Sequence, residues 1–149
     1  MNIKINVGIV GGAGYTAGEL IRLLLNHPNV NINFVHSKSN AGKSLHSVHN
    51  DLLGDTDLLF VEEISNDADV IFLCVGYTEA RKFLQDNRIK SSIKIIDLSH
   101  DFRLEDSNNF EDRNFVYGLP ELNRVQIIQA NNIANPFTSS PDQLLFISP

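Results

Sequence analysis

Apolar positions recur along this chain in two alternating patterns, one typical of strands and the other typical of helices. Alternating or continuous apolar runs predict strands at 3–10, 30–36, 58–61, 70–75, 93–98 and 132–134. Helical spacing predicts helices at 15–26, 78–87 and 121–129. The pattern between 99 and 120 is irregular, and 37–56 is predicted to be a long polar loop with at most a short helix.

The alternation of strands and helices predicts βαβ units around a parallel sheet. The run Val70 to Val75 is apolar throughout, as in a central strand buried on both faces. In the first helix, Leu20, Leu23 and Leu24 are expected to face the sheet. We therefore expect an α/β fold with a doubly wound parallel sheet.

Composition narrows the class of protein. A length of 149 residues with 42% apolar positions suits one domain, and a net charge of −6 disfavours binding of nucleic acid through a basic surface. We find no apolar stretch near the roughly 20 residues of a membrane span and no good signal peptide. A single cysteine, Cys74, excludes an internal disulfide and fits a reducing compartment. We expect a cytoplasmic protein that binds neither nucleic acid nor membranes.

A glycine-rich turn joins the first predicted strand to the first predicted helix. Gly12, Gly14 and Ala17 fit the spacing G-x-G-x-x-G/A of dinucleotide-binding Rossmann folds. Glycine permits the tight turn, and bare backbone N–H groups at a helix start can bind a pyrophosphate. The predicted cofactor-binding residues of this turn are Gly11, Gly12, Ala13, Gly14, Tyr15 and Thr16.

The end of the second strand indicates which dinucleotide is bound. An acidic residue at that position selects NAD, whereas this chain has Ser37, Lys38 and Ser39, with Lys43 nearby. A cation and hydroxyl groups suit a 2′-phosphate, so the sequence favours NADP. A solvated polar loop is the alternative.

Further polar residues follow two strands at the edge where open α/β sheets bind ligands. The segment Asp97 to Arg103 contains Ser99 and an arginine that could hold a phosphate or carboxylate, unless Asp101 and Arg103 only brace a loop. Similarly, Gly76 could approach the cofactor or merely start the next helix.

Two other groups are poor candidates for chemistry. His46, His49 and Asp51 lack a third soft ligand nearby, so we assign them to a loop surface and predict no metal site. Cys74 lies in a buried apolar run, where a thiol is expected to be inert.

Together these segments resemble N-acetyl-gamma-glutamyl-phosphate reductase, an NADP-dependent enzyme family of arginine biosynthesis. The resemblance covers nearly all of residues 3–136. The matching stretches are Gly11 to Leu20, Leu23 to Pro28, Ser39 to Lys43, Asp97 to Arg103, Val116 to Arg124 and Ile133 to Pro136.

The resemblance implies a reductive dephosphorylation of N-acetyl-glutamyl phosphate to N-acetylglutamate semialdehyde. In the family, a cysteine thiolate attacks the acyl phosphate and NADPH reduces the resulting thioester. By resemblance, the glycine turn holds the pyrophosphate, residues 37–39 meet the adenosine end, and Ser99 and Arg103 contact the anionic substrate. Full-length members are expected to be homo-oligomers.

The chain departs from the family after Pro136. The family continues with Gly-Cys, which supplies the nucleophile, whereas Phe137 and Thr138 stand here and a serine or threonine is a far weaker nucleophile. Tyr77 also stands where the family often has histidine. We expect residues 1–136 to be an NADP-binding domain without the family's second domain, followed by a non-matching tail at 137–149 from a truncated or frameshifted gene.

Three functions remain open from the sequence. The chain could be the cofactor domain of a reductase, a nucleotide-binding module without catalysis, or an interaction fragment that once dimerised through another domain. The interaction fragment is the weakest of the three, and because the cysteine and the second domain are missing we expect no reductase activity from this chain alone.

Overall fold

The computed structural model describes residues 4–136, in which eight strands and three helices follow one another along the chain. The strands are β1 (Ile5–Val10), β2 (Val30–His36), β3 (Phe60–Val61), β4 (Val70–Leu73), β5 (Lys94–Asp97), β6 (Asn109–Phe110), β7 (Arg113–Tyr117) and β8 (Asn132–Ala134). The helices are α1 (Tyr15–Leu25), α2 (Glu79–Asp86) and α3 (Pro120–Gln129). All six predicted strands and all three predicted helices are confirmed.

The strands form one sheet in the order β3-β2-β1-β4-β5-β8-β7-β6. Every pair is parallel except β6 and β7, which form an antiparallel hairpin. β1 is an interior strand between β2 and β4, and its residues Val7, Ile9 and Val10 are almost fully buried there. The expected doubly wound α/β fold is therefore confirmed.

Helix α1 packs on the sheet through a narrower face than expected. Ala17 and Ile21 are fully buried, and Leu20 and Leu24 are partly buried against the same core. Leu23 is 71% exposed, so its prediction as a core residue is wrong. Six residues of helix place Leu23 about 120° around the axis from Ala17, which turns it away from the sheet.

The irregular stretch between 99 and 120 contains the hairpin β6–β7, which the sequence did not predict. Phe115 of β7 is buried and stacks on Phe102 with 4.0 Å between the ring centroids. These strands are short and lack a clear alternation, so their position depends on pairing with β8 and on the aromatic stack.

The predicted loop after β2 consists of three short 3₁₀ turns, at Lys38–Asn40, Leu45–Ser47 and Asn50–Leu52. Leu45 and Leu52 are buried against the core beside α1. The loop is thus a fixed layer of the domain, although it contains little regular structure.

Helix α3 buries none of its residues, and Leu122, Val125 and Ile128 are all exposed. Within residues 4–136, none of the helices combines the length and apolar character that crossing a bilayer requires.

Candidate functional site

The order of the strands creates a crevice at the carboxyl end of β1. The chain passes from β1 to β2 on one side and later returns to β4 on the other, so the direction of winding reverses between β1 and β4. Open α/β sheets bind ligands at such a point. The glycine turn, residues 11–14, lies there, because a methyl group on Gly11 would overlap the carbonyl oxygen of Cys74 just after β4.

The first two glycines of the turn are required by the protein's own packing. Gly11 has φ +76°, which side-chain-bearing residues rarely adopt, and Gly12 leaves no room for a Cβ against Val35. The turn is also hydrogen-bonded, since Gly12 N–H donates to the carbonyl of His36 and Gly14 N–H to that of Gly11. Its backbone is therefore fixed in shape.

Gly14 is different, because a Cβ there would make only ordinary van der Waals contacts. It is the N-cap of α1, and the nearest atom to a Cβ built there, the carbonyl oxygen of Gly11, lies 3.4 Å away. No side chain caps the helix, and residues 4–136 offer no hydrogen-bond partner to the N–H groups of Ala13, Tyr15 and Thr16. Such free donors at the positive end of a helix suit an anion.

The loop after β2 brings the residues predicted for the adenosine end into one turn. The Asn40 amide donates to the hydroxyl oxygens of Ser37 and Ser39, both at 3.2 Å, and Lys43 Nζ donates to Asn40 Oδ1 at 3.4 Å. Ser37 is buried, whereas Lys38 and Ser39 are exposed. Segment 37–43 contains two lysines and no acidic residue.

Gly76 follows β4 and lies beside the glycine turn, because the neighbouring Val75 side chain would be 3.0 Å from a Cβ on Gly11. Its N–H donates to Glu79 Oε2 at 3.3 Å, and its carbonyl accepts from Glu79 N–H. Gly76 is therefore bonded to the first residue of α2 at a point adjacent to the turn, and this position is compatible with both interpretations from the sequence.

A chain of hydrogen bonds follows β5. Asp97 is fully buried and accepts from the N–H and hydroxyl of Ser99, at 3.0 and 2.9 Å. Ser99 Oγ in turn accepts from Asp101 N–H. Burial raises the pKa of Asp97 to about 6 despite the Ser99 hydrogen bonds, and burial together with Asp97 raises the pKa of Cys74 to about 12.

Arg103 and Asp101 do not pair with each other, so the interpretation of an Asp101–Arg103 brace is wrong. Asp101 accepts instead from Thr78 N–H and Arg81 N–H at the start of α2. Arg103 donates to the Leu98 carbonyl at 3.2 Å and to His100 Nδ1 at 3.0 Å, while its buried Nε has no partner among residues 4–136. Burial lowers the pKa of Arg103.

These side chains border a cleft of about 1140 Å³ at the carboxyl edge of the sheet. Its wall includes residues that the sequence did not single out as candidates, among them Arg81, Tyr117 and Asn123. The guanidinium of Arg81 lies 4.8 Å from the Phe102 ring centroid and donates to the carbonyls of Ser107 and Asn109. The sequence offered one indication of this role, which is that Arg81 lies in the first turn of the helix that follows β4.

His46, His49 and Asp51 do not converge on one point. His49 is buried and its Nε2 lies 2.7 Å from the carbonyl oxygen of Gly12. Asp51 forms an ion pair with Arg22, and this hydrogen bond lowers the pKa of Asp51 to about 2. Across residues 4–136, no three His, Cys, Asp or Glu side chains are grouped as metal ligands.

Comparison with known proteins identifies the family to which this fold and sequence are similar. A family model described as the semialdehyde dehydrogenase NAD binding domain matches residues 6–130. N-acetyl-gamma-glutamyl-phosphate reductases from Christiangramia forsetii and Phocaeicola vulgatus are 55% and 50% identical over 132 and 133 residues. Each alignment covers 89% of this chain but 40% of the relative, so the chain spans about two fifths of their length.

Solved structures share the fold at low identity. Aspartate semialdehyde dehydrogenase from Candida albicans, solved with NADP, has a TM-score of 0.64 at 16% identity, with 84% of this chain and 36% of that chain covered. Aspartate semialdehyde dehydrogenase II from Vibrio cholerae has a TM-score of 0.57 at 21% identity, with 89% and 42% covered. The resemblance stated from the sequence motifs is confirmed, and the chain belongs to the family of semialdehyde dehydrogenase NAD-binding domains.

Proposed function

We propose that residues 1–136 are the NADP-binding domain of an N-acetyl-gamma-glutamyl-phosphate reductase. The full-length enzyme would reduce N-acetyl-glutamyl phosphate to N-acetylglutamate semialdehyde and phosphate, in arginine biosynthesis. The proposal includes a cytoplasmic location, a small-molecule substrate and a homo-oligomeric full-length protein.

The observation that carries the proposal is the set of free N–H groups at the start of α1. Ala13, Tyr15 and Thr16 have unpartnered donors within residues 4–136, and Gly14 places no side chain beside them. A pyrophosphate supplies several anionic oxygens of the right size for such a cradle. The crevice between β1 and β4 suits this ligand for the same reason.

The preference for NADP over NAD rests on the loop after β2. Lys38 and Lys43 lie in a turn that Asn40 holds together, and an acidic side chain, which would repel a 2′-phosphate, is absent from segment 37–43. The exposed Ser39 hydroxyl adds a hydrogen-bonding group. The NADP named for the Candida albicans structure is consistent with this assignment.

The proposed substrate site is the cleft beside β5. An acyl phosphate is anionic, and Arg103 lines the cleft. Each of its two terminal nitrogens makes one hydrogen bond within the described residues and keeps a second N–H that can donate to such a group. Ser99 is committed to Asp97 through its hydroxyl hydrogen. We assign Ser99 chiefly to shaping this loop and Arg103 to holding the substrate.

This chain alone is proposed to bind the cofactor without catalysing the reaction. Bound NADPH would supply a hydride, but the thiol that the family requires is replaced in sequence by Phe137 and Thr138, which lie outside the described residues. The one cysteine of the chain, Cys74, has a pKa raised to about 12 and stays protonated. A nucleotide-binding module is therefore the second candidate function.

Titration with NADPH and NADH, followed by fluorescence or calorimetry, tests the proposal. We expect saturable binding of NADPH, weaker binding of NADH, and loss of both in Gly14→Val, whose side chain would fill the space in front of α1. Ser92→Val, at an exposed turn residue just before β5 and so at the opposite end of that strand from the crevice, is the control for introducing a valine. A wild-type chain that binds neither dinucleotide would refute the proposed function.

A reductase assay separates the two candidate functions. It would follow the phosphate-dependent reduction of NADP by N-acetylglutamate semialdehyde. We expect no turnover above a protein-free control. Turnover by this chain would contradict the proposal of a nucleotide-binding module without catalysis and would show that the chain is an enzyme.

A further inference from the structure

We propose that His49 is a positioning residue that orients the glycine turn toward a dinucleotide pyrophosphate. The inference rests on the proposed function, because it concerns how the same site is held ready for its ligand. His49 lies in the loop after β2, 37 residues from the glycine to which it is bonded.

The contact between His49 and the turn is direct. His49 is 8% exposed, and its Nε2 is 2.7 Å from the carbonyl oxygen of Gly12. Since a carbonyl oxygen can only accept, Nε2 carries a hydrogen and donates. A buried carbonyl without this partner would be left unsatisfied.

The bond determines which way the next peptide faces. In a trans peptide the C=O and N–H groups point to opposite sides, so a Gly12 carbonyl directed toward His49 turns the Ala13 N–H away from it. That N–H has no partner among residues 4–136 and is one of the free donors of the proposed cradle. Gly12 is also tied through its own N–H to His36. His49 thus fixes the donor direction without reaching the ligand.

The surroundings hold the imidazole in one position. A Cβ built on Gly18 of α1 would lie 2.7 Å from His49 Nδ1 and 2.8 Å from Cε1, so Gly18 provides the space that the ring occupies. His49 N–H donates to Leu45, and the His49 carbonyl accepts from Leu52. The ion pair between Arg22 and Asp51 attaches the same loop to α1.

Three variants test the role through NADPH affinity. His49→Phe removes the donor at similar size and should weaken NADPH binding about tenfold, whereas His49→Gln, whose amide can donate near the Nε2 position, should stay within about threefold of wild type. Gly18→Ala leaves His49 in the sequence but displaces its ring, and should weaken binding as His49→Phe does. His46→Phe, in the same loop and without a hydrogen bond to the turn among residues 4–136, is the control and should bind as wild type.

A measurement without cofactor distinguishes positioning from general stability. Backbone ¹⁵N relaxation should show lower order at Gly12 and Ala13 in His49→Phe and in Gly18→Ala, with order restored in His49→Gln. If His49→Phe and Gly18→Ala bind NADPH as tightly as wild type and show wild-type backbone order at Gly12 and Ala13, the inference is wrong. If His49→Phe does not fold, Gly18→Ala and His49→Gln carry the comparison. A wild-type chain that binds no NADPH refutes the proposed function instead, and the relaxation data still decide whether His49 orders the turn.

Discussion

The carboxylate of Asp101 caps the N-terminus of α2 from a different part of the chain. Its Oδ1 accepts from Thr78 N–H at 2.7 Å and its Oδ2 from Arg81 N–H at 3.0 Å. Thr78 has a left-handed backbone, with φ +66°, and no side-chain hydrogen bond of its own to the helix. The loop after β5 and the start of α2 are thereby joined beside the proposed substrate cleft.

Replacing this cap should destabilise the domain. Asp101→Ala leaves two N–H groups at the start of α2 without their acceptor and should lower the free energy of unfolding by about 1–2 kcal/mol. Asp101→Asn keeps one acceptor oxygen and should lose less. Urea unfolding followed by circular dichroism measures the difference. Asp106→Ala, at an exposed position, should change stability by less than about 0.5 kcal/mol, and a loss equal to that of Asp101→Ala would contradict the capping role.

Asp97 should make the stability of the domain fall between pH 4 and pH 7. Its pKa is raised to about 6 in the folded protein because it is buried, compared with about 3.9 in an unfolded chain. The folded state therefore holds the proton more tightly, so the contribution of Asp97 to stability is most favourable below pH 4 and is lost as the pH rises through 6.

Asp97→Asn isolates this contribution, because the amide does not ionise. We expect its stability relative to wild type to increase by roughly 2–3 kcal/mol between pH 4 and pH 7. Urea unfolding of both proteins at pH 4, 5.5 and 7 gives the difference directly. A difference that does not change with pH would show that Asp97 titrates normally in the folded protein. Asp106→Asn controls for the removal of one exposed negative charge.

Cys74 should resist alkylation while the protein is folded. With a pKa of about 12, only about one thiol in ten thousand is ionised at pH 8, and the thiolate is the reactive form. Iodoacetamide should therefore modify the native protein at least 100-fold more slowly than the urea-unfolded chain, as measured by mass spectrometry. Cys74→Ser should bind NADPH as wild type does. Rapid alkylation of the native protein would reopen Cys74 as a candidate nucleophile.

The sheet and the glycine turn could be predicted from the sequence because both depend on local patterns. Apolar runs mark buried parallel strands wherever they stand, and Gly11 and Gly12 are needed for the shape of a turn four residues long. The alternation of strands and helices then leaves few ways to arrange the sheet.

The links between distant segments could not be predicted in this way. Asp101 capping α2 and His49 bonding to Gly12 join residues 20 to 37 positions apart, and neither has a periodic signal. Leu23 is an error of a different kind, because it was predicted to be buried and is exposed. It is a leucine in an amphipathic helix, but the helical geometry turns it away from the sheet. The hairpin β6–β7 was missed because its stability comes from stacking on Phe102.

Lys38 should control the choice between NADPH and NADH. It is exposed in the turn after β2, at the position where the fold places the adenosine ribose. Lys38→Asp replaces attraction to a 2′-phosphate with repulsion, so we expect the Kd for NADPH to rise about tenfold or more, equivalent to about 1.4 kcal/mol. The Kd for NADH, which has no 2′-phosphate, should change less than about threefold.

Salt dependence and a matched control complete this test. Lys82→Asp, an equal change of charge at an exposed position of α2, should leave the ratio of the two dissociation constants as it is in wild type. Because exposed charges are screened by salt, the discrimination lost in Lys38→Asp should be larger at low than at high ionic strength. If Lys38→Asp weakens both dinucleotides equally, the lysine acts on the loop and not on the phosphate. The preference for NADP would then have to depend on Lys43 or Ser39.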